Sequence, residues 1–181
     1  SALAWGFYGW RLNSYRATIP HEGFSILRRW AHAKNDDYFV FTSNVDGQFQ
    51  KAGFDEKRIY ECHGSIHHLQ CIRACDGEIW SADEFMPVVD EDNCRLLSAK
   101  PYCISCGGLA RPNILMFNDA FWLPWRSEFQ FIRQRDWLES VGDTVIIEMG
   151  AGKAIPTVRN LSERLTRKNK THLIRINTTE A

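Results

Sequence analysis

The sequence carries no charge bias: 22 Lys and Arg offset 22 Asp and Glu, so the formal net charge is zero with the six histidines neutral. A neutral chain exerts no general attraction on nucleic acid or anionic membrane, and any such binding would rest on a local patch. Long apolar runs are also missing. No segment approaches the roughly 20 consecutive apolar residues of a membrane-spanning helix. The opening stretch, SALAWGFYGW, has no basic residues ahead of its apolar ones, unlike a secretory signal. Internal repeats and low-complexity tracts are absent. The simplest expectation is a soluble, cytoplasmic protein.

What is present suits a folded chain. A length of 181 residues fits one domain, or one domain with a small appendage. A hydrophobic share of 44%, with 7 Trp, 5 Tyr and 11 Phe, is enough to build a core, which excludes disordered and collagen-like classes.

Periodicity sets out the elements. Phe24, Leu27, Trp30 and Ala31 fall at helical spacing within residues 22–34, after Pro20, and predict an amphipathic helix. Tyr38 to Thr42 reads as a short buried strand, closed by Asn44-Val45-Asp46-Gly47. Near the C-terminus, Thr144 to Ile147 predicts a strand and Gly150-Ala151-Gly152 a tight loop. Pro156 opens a helix with Val158, Leu161 and Leu165 on its apolar face, and His172 to Ile176 follows as a strand. This β-α-β succession implies parallel strands joined by a right-handed crossover, with ligands beyond the strand C-termini. Residues 121–138 predict a largely helical segment whose aromatics, Trp122, Trp125, Phe129, Ile132 and Trp137 among its apolar residues, are expected in core or helix contacts.

Residues 66–110 have few long apolar runs and four cysteines in two close pairs, and predict a small inserted module held by a metal rather than by a core. Cys71 and Cys75 form C-x3-C, Cys103 and Cys106 form C-x2-C, and 27 residues separate the pairs. Two such pairs supply four thiolates to a tetrahedral zinc, a closed and therefore structural site. The competing readings are reduced or disulfide-linked cysteines without metal, or His67 and His68 as substitute ligands. Cys62 and Cys94 are left as ordinary thiols. Close cysteine clusters favour a reducing compartment.

The string Thr42-Ser43-Asn44-Val45-Asp46-Gly47, then Ala52-Gly53, His63-Gly64-Ser65, the two cysteine pairs and Arg111-Pro112-Asn113-Ile114-Leu115-Met116-Phe117 resembles the sirtuins, the Sir2 family of NAD-dependent protein-lysine deacylases. The resemblance runs on through Gly150-Ala151-Gly152 to Arg175-Ile176-Asn177. It implies a parallel-sheet, Rossmann-like α/β fold over residues 1–65 and 111–181, with a zinc module at 66–110. It also implies an enzyme that uses NAD and an acyl-lysine protein or peptide: the acyl oxygen attacks the ribose carbon, nicotinamide leaves, and the acyl group passes to ADP-ribose. His63 matches the general base, a role that an imidazole titrating near neutrality suits. Asn44 and Asp46 match residues lining the nicotinamide and ribose pocket. Ser43 adjoins them, Gly150, Ala151 and Gly152 match a loop on the adenosine side, and Asn177 an asparagine near the adenine ribose. Ile114, Leu115 and Phe117 match the segment that pairs with the substrate backbone and walls the acyl-lysine channel.

Taken without the resemblance, His63 reads first as a structural histidine, Asn44 and Asp46 equally as an Asx turn, Ile114, Leu115 and Phe117 as core, and the Gly-x-Gly by default as a simple turn. Several positions depart from the family pattern: Ser43 for glutamine, Asn118-Asp119 for Gly-Glu, Gly152 for serine, and one extra residue in the first cysteine pair. The family's opening strand and Gly-Ala-Gly-x-Ser phosphate loop have no counterpart before Phe24, so these 181 residues alone are expected to bind NAD weakly or undetectably. Two other outcomes stay open: ADP-ribosyl transfer or NAD hydrolysis at the same site, and a zinc-stabilised binding domain without catalysis. The basic cluster Arg164, Arg167, Lys168 and Lys170 reads as a solvated helix end, and nucleic acid is not the expected partner.

Overall fold

The computed structural model describes residues 2–167 and 170–179, so Lys168 of the basic cluster lies outside the described residues. Helix α1 (Ala2–Ala17) turns Trp5, Gly6, Gly9 and Leu12 inward. The inward glycines let the helix lie against backbone: a Cβ on Gly6 would fall 2.0 Å from the Cys94 carbonyl oxygen. Helix α2 (Glu22–Ala33) matches the predicted span, with the His21 imidazole accepting the Gly23 N–H at its start. Phe24 meets Phe49 edge-on at 5.0 Å, whereas Trp30, expected inward, is 53% exposed. At about 100° per residue Trp30 lies roughly 120° round the helix from Phe24, beyond the covered side.

Strand β1 (Val40–Thr42), helix α3 (Gln48–Lys51) and strand β2 (Ile59–Glu61) form one crossover unit, with β1 and β2 parallel and Val40 opposite Ile59. Strand β3 (Gly64–Cys71) then pairs antiparallel with β4 (Ile79–Ser81) and, after the hairpin β5 (Val89–Asp90) and β6 (Arg95–Leu96), with β7 (Ala110–Ile114). Helix α4 (Trp125–Ser140) leads to β8 (Thr144–Met149), α5 (Thr157–Thr166) and β9 (Thr171–Ile176), where β8 and β9 run parallel, as predicted. The α/β, Rossmann-like class holds. Among the described residues, however, the parallel strands form two separate pairs, β1–β2 and β8–β9.

Two expectations about packing change. The cysteine-bearing region has a core of its own: Ile66, Leu69, Ala82 and Leu96 close around Trp5 and Leu12 of α1, with Phe85 edge-on to Trp5 at 5.0 Å. Metal is thus not its sole support, because α1 provides the apolar side chains that the segment lacks. In α4 the polarity is inverted. Trp125, Phe129 and Ile132 are exposed, and Ser127, Gln130 and Gln134 are buried. The cause is Glu61, a buried carboxylate that must be satisfied. Arg126 donates to it at 2.5 Å, Ser127 Oγ donates to its carbonyl at 2.9 Å, and its N–H donates to Gln130 Oε1 at 3.0 Å. Trp137 makes a directed contact, donating to Asp37 at 2.6 Å. Likewise α5 buries Arg159 and Ser162, while Val158, Leu161 and Leu165 are only half-buried.

Candidate functional site

The chain leaves β1 at Thr42, whose hydroxyl accepts the Asn44 N–H at 3.0 Å. Asp46 then accepts the Gln48 N–H at 3.0 Å, an Asx turn that starts α3, with Gly47 between them at φ +68°. The structural reading of Asp46 and its placement at a strand's C-terminal edge therefore coexist. The flank of this loop is held by the segment around β3: Cys62 N–H donates to the Thr42 carbonyl and Ile66 N–H to the Val45 carbonyl, both at 3.0 Å. His63 joins the same face, its ring beside the Ser43 backbone. Burial pushes its pKa down, and the nearby Ser43 backbone offsets the shift only in part.

On the other side, the His63 carbonyl accepts the Leu115 N–H at 3.0 Å. Ile114 ends β7 and packs on the core around Trp5, while Leu115 is partly exposed and Phe117 is 87% exposed. The segment after β7 is braced by a pair that sequence reasoning missed. Arg111 donates to both oxygens of Asp119, at 2.9 Å for the longer bond, and to the Ile114 carbonyl at 2.7 Å. Asp119 also accepts the N–H groups of Met116 and Phe121, each at 3.3 Å. The Arg111 hydrogen bond chiefly holds the Asp119 carboxyl below the ordinary range, against the opposing effect of burial. Asn118 adopts φ +54°, a left-handed conformation that asparagine tolerates best after glycine, so the departure from Gly at this position is conformationally conservative.

Gly150 starts the loop beyond β8 at φ +65° and donates to the Ile176 carbonyl at 3.0 Å. The Ala151 carbonyl accepts Asn177 Nδ2 at 3.2 Å and Arg159 Nη2 at 3.0 Å, and Gly152 is exposed. The candidate residues thus stand in two groups, each at the C-terminal edge of its own parallel pair: Ser43, Asn44, Asp46 and His63 with Leu115, and Gly150, Ala151 and Gly152 with Asn177.

The four cysteines converge. Sγ atoms of Cys71, Cys75, Cys103 and Cys106 all lie within 4.8 Å of one another. The Cys71–Cys106 and Cys75–Cys103 separations are 3.7 and 3.6 Å, against ~3.8 Å between ligands of a tetrahedral Zn–S site with bonds of about 2.3 Å. They are positioned to bind zinc, and no sulfur is disulfide-bonded. The Gly108 N–H foremost, with Cys75 and Arg73, pulls the Cys106 thiol down to about 6. The extra residue of the C-x3-C pair is taken up at Ala74, which turns left-handed at φ +51° and donates to the Cys71 carbonyl at 3.0 Å. His67 is not a ligand: its Nε2 bonds the Asp46 carbonyl at 2.9 Å.

The fold and site together define a Sir2-type protein, and comparison with known proteins agrees. The Sir2 family model matches residues 2–148, and the chain belongs to that family. Relatives described as NAD-dependent protein deacylases are 30% identical in Aquifex aeolicus (strain VF5), over 65% of this chain and 44% of the relative, and 30% identical in Mycolicibacterium paratuberculosis, over 83% and 59%. The chain therefore spans about half the length of the curated relatives it matches. Among solved structures, one described as the structural basis for sirtuin substrate affinity aligns over 93% of this chain and 64% of the other at TM-score 0.66 and 21% identity. A Sir2 complex with p53 peptide and NAD+ aligns over 88% and 59% at TM-score 0.62 and 22% identity, so these structures speak to fold.

Proposed function

We propose that this chain carries the acyl-transfer face of an NAD-dependent protein-lysine deacylase. The observation that carries the reading is the placement of His63: Cys62 and Ile66 on either side of it bond the loop at Thr42 and Val45, and its own carbonyl accepts the Leu115 N–H, which sets an imidazole beside the Asn44–Asp46 loop and against the Leu115 strand end. NAD bound here supplies an activated ribose carbon that the acyl oxygen can attack as nicotinamide leaves. The residues then divide the work. Asn44 and Asp46 line the nicotinamide ribose, and Ser43 offers a shorter polar group beside them. His63, whose pKa burial lowers, takes a proton from a ribose hydroxyl.

Ile114, Leu115 and Phe117 accept the substrate as an added strand. β7 lies at the edge of its sheet, which leaves one side for an extended peptide. Gly150, Ala151 and Gly152 meet the adenosine side, where nothing lies within 4 Å of a Cβ built on Gly150, and Asn177 braces that loop. Cys71, Cys75, Cys103 and Cys106 hold a structural zinc. We read residues 1–65 and 111–181 as the nucleotide-binding unit and 66–110 as the zinc module, with α1 tying the two. The free thiols suit a reducing, cytoplasmic setting, and among the described residues no helix is long and apolar enough to cross a membrane. Mass spectrometry of an acetyl-lysine peptide incubated with NAD and the natural polypeptide containing these residues tests the reading. Deacylated peptide with acyl-ADP-ribose supports it, and ADP-ribose with intact acyl-peptide contradicts it.

A further inference from the structure

We infer that His67 is a positioning residue for the Asn44–Asp46 loop, an inference that rests on the reading of that loop as the nicotinamide and ribose wall. Its Nε2 stands 2.9 Å from the Asp46 carbonyl oxygen. A carbonyl can only accept, so Nε2 carries the proton. The ring's edge also comes close to the turn: a Cβ on Gly47 would fall 2.8 Å from Cδ2 and 2.9 Å from Nε2 of His67. One side chain therefore does two things to one turn. It satisfies the Asp46 carbonyl and fills the space over Gly47, whose φ of +68° the turn requires.

His67 is itself rigidly held. Its backbone belongs to β3, its carbonyl accepts the Ala82 N–H at 2.9 Å, and its N–H donates to Ser65 Oγ at 3.3 Å. β3 begins beside His63 and ends at Cys71, so the strand that reaches the cysteine cluster also sets the loop facing the general base. Beyond the turn, the loop's far end is pinned to α1. Gln48 Nε2 donates to the Tyr15 carbonyl at 3.0 Å, and Lys51 Nζ to the Thr18 carbonyl at 2.6 Å. With Thr42 and Val45 bonded by the Cys62 and Ile66 N–H groups, the Asp46–Gly47 peptide lies between two anchored ends, and His67 bonds it.

Two near-isosteric substitutions separate this role from simple packing. The amide nitrogen of Gln reaches as far along the side chain as imidazole Nε2, whereas that of Asn matches only Nδ1. His67→Gln thus keeps the donor to Asp46, and His67→Asn and His67→Ala lose it. Hydrogen exchange is read at the Gln48 amide, which the Asp46 carboxylate protects, with the β2 amides as controls for global stability. Saturation-transfer NMR with millimolar nicotinamide reads the pocket.

In the Asn and Ala variants, Gln48 exchange should accelerate and nicotinamide binding weaken by about threefold to tenfold, the effect of one lost hydrogen bond. The β2 amides should be unchanged, and the Gln variant should match the parent in both readouts. Equal behaviour of the Gln and Asn variants, or unaltered Gln48 exchange in His67→Ala, overturns the inference. A parent protein that shows no nicotinamide transfer contradicts the functional reading instead, and the exchange comparison still decides the role of His67.

Discussion

A side-chain carbon on Gly64 would lie 2.0 Å from the carbonyl oxygen of Asn113. Gly64 also sits at φ +80°, immediately after His63 and opposite Ile114 in the β3–β7 ladder. The glycine of the His-Gly-Ser motif is therefore demanded twice, by backbone conformation and by the approach of the strand that would receive substrate. Gly64→Ala should cost about 3 kcal/mol or more, because neither strand can retreat without breaking ladder bonds. Urea denaturation monitored by circular dichroism checks this, and an unchanged midpoint would contradict the register described.

Ala74 gives the opposite case. At φ +51° it pays the left-handed penalty that Gly64 avoids. Ala74→Gly should relieve about 1 to 2 kcal/mol of strain, less about 0.4 to 1 kcal/mol for the freer unfolded chain. A net gain between about 0 and 1.6 kcal/mol, centred on roughly 0.8, follows from those two ranges. Zinc content should stay the same. A destabilised Ala74→Gly variant would mean that the cysteine knuckle is built differently.

The four-sulfur cluster predicts one zinc per chain, bound without any histidine. Metal analysis of protein purified without chelator should return one equivalent, and Cys106→Ser should abolish stable retention, whereas His67→Gln should not. Chelation should loosen the module without unfolding it entirely, since Trp5 and Leu12 of α1 still close its small core. Protein that retains no zinc would overturn the site.

Acid sensitivity should be traceable to His68. Burial foremost, with Arg126 and His67 adding positive charge and Asp83 opposing them, pushes its pKa down to about 4. The unfolded chain binds that proton near 6.5 and the folded chain near 4, so stability rises with pH through this window and is lost as pH falls from 6.5 towards 4. The full swing is about 3 kcal/mol. The lowered carboxyls of Asp119 and Glu148 lose their contributions below about pH 4. His68→Leu should therefore flatten the stability profile between pH 6.5 and 4. An unaltered slope relative to the parent at equal zinc content would count against the buried neutral imidazole.

Legibility in the sequence followed the physics of each element. Strand β8, helix α5 and strand β9 were readable because β-branched runs, a Gly-rich loop and Pro156 each act locally. The zinc cluster was readable from cysteine spacing alone. Helix α1 was not, because its inward side is half glycine, a pattern explained only by the backbone that approaches Gly6. The inward face of α4 was misread because the determinant is Glu61, 64 residues before its first residue, Trp125. A buried carboxylate draws Ser127 and Gln130 inward, and nothing in the helix's own periodicity announces that. His67 stood near the cysteines and beside a second histidine, and its sequence context offered no role beyond that of a substitute ligand behind four thiolates. Only the loop folding back onto β3 reveals its partner as Asp46. Arg111 opens the motif string and Asp119 stands just past its end, among the departures from the family pattern, yet their pairing requires the turn at Asn118.

His63, set beside Asn44 and Asp46 and against Leu115, is proposed as the base of an NAD-dependent acyl transfer. The most direct measurement is product analysis by mass spectrometry, with NAD and an acetyl-lysine peptide, for the natural polypeptide containing these residues and its His63→Ala variant. Loss of one general base predicts a fall of about 100-fold or more in acyl-ADP-ribose formation, with zinc content and the denaturation midpoint maintained. Turnover unchanged in His63→Ala would contradict the account.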